Sequence, residues 1–109
     1  MVNMTLEELR EKAFFQNTID VWIMLCHESN QASYDVKRYI KFIDYLNKSG
    51  IKMEKFPLCI KESGGMFERG MDKAKFLDSL SKIYSENASA YTVKLTPSNI
   101  KIFRKFFLT

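Results

Sequence analysis

His27 is the only histidine in the chain, and it stands between Cys26 and Glu28. A thiol, an imidazole and a carboxylate in a row are the residue types of a nucleophile with its general base. Neighbours on a helix point in different directions, however, and covalent catalysis also needs a third group to orient the base. No such group is suggested, so His27 reads as a helix-end residue. Cys26 and Cys59, with one histidine, lack the spacing of a zinc site. There is no phosphate-binding GxxxxGK, no GxGxxG and no HExxH, and Ser63-Gly64-Gly65 reads as a turn. The expectation is a chain that is not an enzyme and carries no metal or cofactor.

The charged residues are more informative. The 109-residue chain has a net charge of +4 and a pI near 9.1. Residues 1–49 hold six Lys/Arg against seven Asp/Glu, whereas residues 50–109 hold eleven against six. A near-neutral half followed by a basic half suggests a surface facing a polyanion. The plainer reading is a set of solvated lysines that keep the protein in solution.

Those residues need elements to position them. Four glycines and two prolines are few, which favours helices over a turn-rich sandwich. Thr5-Leu6-Glu7-Glu8 has the form of a capping box, and Leu6, Leu9 and Ala13 follow on one stripe. A second helix is expected from about Asn17. It is apolar on nearly every side from Ile19 to Cys26, and therefore central. Ser33 is placed to cap a third helix, with Val36, Tyr39, Ile40, Ile43 and Leu46 inward, Lys37, Arg38, Lys41 and Lys48 outward, and Gly50 at its end.

Phe56, Leu58 and Ile60 alternate like a strand, but Pro57 demotes the run to a sheet edge or to irregular chain. Asp72 is placed to cap a fourth helix, with Phe76, Leu77, Leu80, Ile83 and Tyr84 buried. Tyr91, Val93 and Leu95 alternate as a strand, with residues 82–85 as its expected hairpin partner. Thr96-Pro97 then opens a last helix. The chain predicts one domain over 1–109, mainly α with one small β-hairpin at 82–95, the layout of a winged helix-turn-helix.

The stretch Tyr91-Thr92-Val93-Lys94-Leu95-Thr96-Pro97-Ser98-Asn99-Ile100 resembles the passage from second wing strand to helix in winged-helix regulators of the PadR and MarR kind, with Asn99 where those families carry a glycine. Phe14 to Ile40 is similar to their hydrophobic helix, break and next helix. Tyr34 is kept in Ser33-Tyr34-Asp35-Val36, without the glycine that precedes it in PadR-like proteins.

The resemblance implies sequence-specific binding of double-stranded DNA by a small transcriptional regulator, a repressor for example. In such proteins Lys and Arg neutralise phosphates while a helix in the major groove reads base edges. The implied DNA contacts are Arg69, Lys73, Lys75, Ser79 and Lys82 on or before helix 72–84, and Asn87 and Ser89 on the wing loop. Lys37, Arg38 and Lys41 assist, or make the third helix the reader instead. The apolar excess of the last helix implies a homodimer through Ile102, Phe103, Phe106 and Phe107. The alternative is a plasmid- or virus-encoded interaction module or inhibitor that does not bind DNA. The N-terminus has no signal-peptide form, no apolar run spans a bilayer, and two unframed cysteines suit a reducing compartment, so the expected location is the cytoplasm.

Overall fold

The most apolar helix of the sequence organises the rest. In α2 (Thr18–Glu28) every residue from Val21 to Cys26 is buried, as are Thr18 and Ile19, so the helix is covered on several sides. Asn17 caps it, its side-chain oxygen accepting the Ile19 N–H at 2.9 Å. At the other end Asn30 takes φ 58°, its N–H bonds the His27 carbonyl, and the Gln31 N–H bonds the Cys26 carbonyl at 2.8 Å. Asparagine is one of the few residues other than glycine that closes a helix in this left-handed way at modest cost.

The computed structural model describes residues 6–12, 15–59, 70–84 and 87–108, with side chains described at all of these except 12, 56–59, 70–74, 83, 84 and 87–90. Before α2 come α1 (Leu6–Lys12) and the three-residue strand β1 (Phe15–Asn17). Leu6 and Leu9 are buried, as their spacing requires. After it come α3 (Val36–Lys48), β2 (Met53–Cys59), α4 (Gly70–Tyr84), β3 (Asn87–Lys94) and α5 (Pro97–Phe106). Five helices and one small antiparallel sheet make the described residues a mainly helical α+β fold.

The sheet differs from the expected local hairpin. Its order is β1-β3-β2, with both pairings antiparallel. Residues 82–84 belong to α4 and pair with nothing in the sheet. The partners of β3 lie far away in sequence: Gln16 and Met53 both oppose Val93. Alternation alone could identify β3 as a strand but not its neighbours. β2 is an edge strand, the position to which Pro57 confined it, with Pro57 opposite Ser89.

Two caps also differ. Ser33 does not cap α3; it is buried, and its carbonyl accepts the Trp22 indole N–H at 2.8 Å. Asp35 caps α3 instead, accepting the Arg38 N–H. α4 begins at Gly70, which puts Asp72 inside its first turn. The expected ends of α3 and α5 are found. Gly50 has φ +81°, and the Ile51 N–H closes on the Leu46 carbonyl at 3.0 Å while Ile51 is buried. Thr96 caps α5 and accepts the Asn99 N–H at 3.1 Å, with Pro97 at the first helical position.

The core is aromatic at its centre. Trp22 meets Tyr39, Phe42, Phe106 and Phe107 at centroid distances of 5.3–6.2 Å. Thr18 and Tyr39 share a buried hydroxyl–hydroxyl bond of 2.8 Å. Among the described residues no helix is long and apolar enough to cross a membrane.

Candidate nucleic-acid interface

α3 packs through Val36, Tyr39, Phe42 and Leu46. Its neighbours are α5 on one side, where the Tyr45 hydroxyl donates to the Ile102 carbonyl at 2.8 Å, and α4 on the other, where Phe76 meets Tyr39 edge-on. Spacings of three and four place Lys37, Lys41, Asp44 and Lys48 on the stripe left over, and all four are exposed. Lys48 pairs with Asp44 at 3.0 Å, while no ion pair among the described residues holds Lys37 or Lys41.

Ile40 lies on the border of this stripe. The expected inward Ile40 is instead 38% exposed, and Phe42 takes the buried place. Ile40 is not among the contacts expected from the sequence, although its position three residues after Lys37 places it beside that lysine. Arg38 behaves differently from its neighbours. Its guanidinium lies 4.9 Å from the Phe107 ring, 5.5 Å from Phe106 and 5.8 Å from Trp22, and it bonds the Gln31 side chain. It ties α3 to α5 and is not presented outward with the lysines.

On α4, Phe76, Leu77 and Leu80 are buried as expected. Lys75 and Lys82 are exposed, and Ser79 is half-buried. Lys82 pairs with Asp78 at 3.3 Å. The Lys75 ammonium lies 5.5 Å from the ring of Tyr34. The side chain of Lys73 and the whole of Arg69 lie outside the described residues. Asn87 and Ser89 are not on a loop: both are in β3, opposite Cys59 and Pro57. The link from β2 to β3 is therefore residues 60–86, with α4 inside it.

The terminal helix accommodates its aromatic residues within its own chain. Phe103 is 0% exposed and unavailable to a second copy. Phe106 and Phe107 are half-buried against Trp22 and Phe42, and Ile102 packs on the same core. Leu108 is the exception, 83% exposed. It borders a cavity of about 250 Å³ that is also lined by Leu25, Glu28, Ser29, Arg104 and Phe107. Arg104 there bridges Glu28 at 3.0 Å and Glu7 at 3.1 Å, linking α5 to α2 and α1. Its guanidinium is held above its ordinary value, first by the hydrogen bond to Glu28 and then by the charges of Glu28 and Glu7, against partial desolvation.

Cys26 is fully buried while the adjacent His27 is exposed, so the two diverge as neighbours on a helix must. Among the described residues no group of three His, Cys, Asp or Glu side chains is placed to hold a metal ion. No family model, curated protein or solved structure matches the chain.

Proposed function

We propose that the protein is a winged-helix DNA-binding protein, and that α3, not α4, reads the major groove. The observation that supports this reading most is the order of elements: a helix pair, α2 and α3, followed by β2 and β3, which pair in antiparallel fashion with α4 inserted between them. In a helix-turn-helix the second helix of the pair enters the groove, and α3 holds that place. Lys37 and Lys41 are suited to the phosphates on either side, and Ile40 to an apolar base edge such as a thymine methyl. The role is that of a transcriptional regulator, in keeping with the sequence resemblance.

A second copy of the chain completes the proposal, as two symmetric copies place two reading helices along the duplex. The contact moves from the middle of α5 to its end. There an exposed leucine and a cavity lie side by side, with Arg104 and Glu28 at the rim. In such a pairing each Leu108 would cover the apolar groove beside it in the other copy.

The test is the binding of labelled duplex fragments from the gene's own promoter, followed by fluorescence anisotropy at low salt. Lys37→Ala and Lys41→Ala should each weaken binding to all sequences, and each should flatten the slope of log affinity against log salt by about one. Absence of binding at micromolar protein refutes the reading and favours the interaction module.

A further inference from the structure

We propose that α4 is a second DNA-facing element, whose Lys75 acts with Tyr34 to hold a backbone phosphate beside the groove that α3 occupies. The inference rests on the reading of α3 above and extends it to the segment inserted between β2 and β3.

The orientation of α4 follows from one contact. Phe76 is buried and meets Tyr39 of α3 with ring centroids 5.1 Å apart and planes at 86°. Residue 75 then emerges beside the start of α3, where its ammonium lies over Tyr34. Tyr34 is the residue immediately before the Asp35 cap and is 45% exposed. The pair thus brings a phenol O–H and an ammonium to one exposed place, at a tyrosine three residues before Lys37 in sequence.

The chemistry suits a phosphate oxygen. Both groups donate, and phosphate oxygens only accept. The ring face holds the ammonium without neutralising it, so its charge stays available. Among the described residues, Asp35 accepts the Arg38 N–H, and Asp78 pairs with Lys82. No ion pair among the described residues holds Lys75. Lys75 thus adds a cation beside the start of the helix that carries Lys37 and Lys41, which a groove flanked by phosphates would match and a small neutral ligand would not.

The experiment compares the unmodified protein with Lys75→Ala, Tyr34→Phe and Lys41→Ala on one labelled duplex at several salt concentrations. Both α4-side variants alter exposed atoms, and an unchanged melting temperature confirms that they fold. Lys75→Ala is expected to lower the salt slope by about one, on every sequence alike. Tyr34→Phe keeps the ring under Lys75 and removes the O–H, so affinity should drop severalfold with the slope unchanged. If both bind like the unmodified protein while Lys41→Ala is weakened, α4 faces solvent and this inference fails with the α3 reading intact. If the unmodified protein binds no duplex, both fail together.

Discussion

At position 22 one indole holds two parts of the molecule. Its ring meets two rings of α3, one of α5 and that of Phe107 just after α5, and its N–H holds the Ser33 carbonyl, which fixes the turn between α2 and α3. Trp22→Phe should cost about 2–3 kcal/mol, from lost volume and an orphaned buried carbonyl, measurable as a lowered urea midpoint. Arg104 is a different case. Its ion pairs are 31–54% exposed, and exposed pairs contribute little. Arg104→Met should therefore cost about 1 kcal/mol or less at low salt. A raised arginine stabilises the fold at every pH below its unfolded-state value, far above neutrality, and loses that contribution only as pH rises from there through the higher folded value. The pairs should thus add no pH dependence through Arg104 between neutrality and pH 10, which thermal melts across that range would check.

The elements were legible to the degree that their causes are local. The buried faces of α2 and α4, the turn at Gly50 and the Thr96-Pro97 start of α5 follow from side chains within a few residues of one another. At Gly50 a Cβ would meet nothing within 4 Å, so Gly50→Ala should cost about 1 kcal/mol, from the left-handed backbone alone. A larger loss of melting temperature than that figure implies would show a steric clash instead. The α3 cap was misplaced because Ser33, Asp35 and their oxygens compete within three residues. What decided it was Trp22, eleven residues upstream of Ser33, which needs the Ser33 carbonyl. The sheet was least legible, since β1 has three residues and both partners of β3 lie elsewhere in the sequence. The proposed DNA contacts are partly legible for the same reason. Lys37, Lys41 and Lys75 announce themselves by charge, but Ile40 and Tyr34 matter only through where α3 and α4 sit. Phe76→Ala should loosen α4 from α3 and cost about 3–5 kcal/mol in denaturant.

For the whole molecule, the proposed pairing at the end of α5 predicts that Leu108→Glu yields folded monomer in sedimentation, with weaker binding to a two-site duplex and unchanged binding to a half-site. An unmodified protein that already sediments as a monomer at tens of micromolar would remove the dimer and leave the groove reading untouched. The position of β3 has a consequence for synthesis. Among the described residues, the central strand of the sheet is the last of the three in sequence. As the polypeptide leaves the ribosome, β1 and β2 lack β3, the strand to which both are bonded, until residues 87–94 follow them. Closure across such separations is slow compared with helix formation, so the helices should form early and wait. A fragment stopped at residue 86 should keep helical circular dichroism without a cooperative melt, because the strand that joins its two halves has not yet been made.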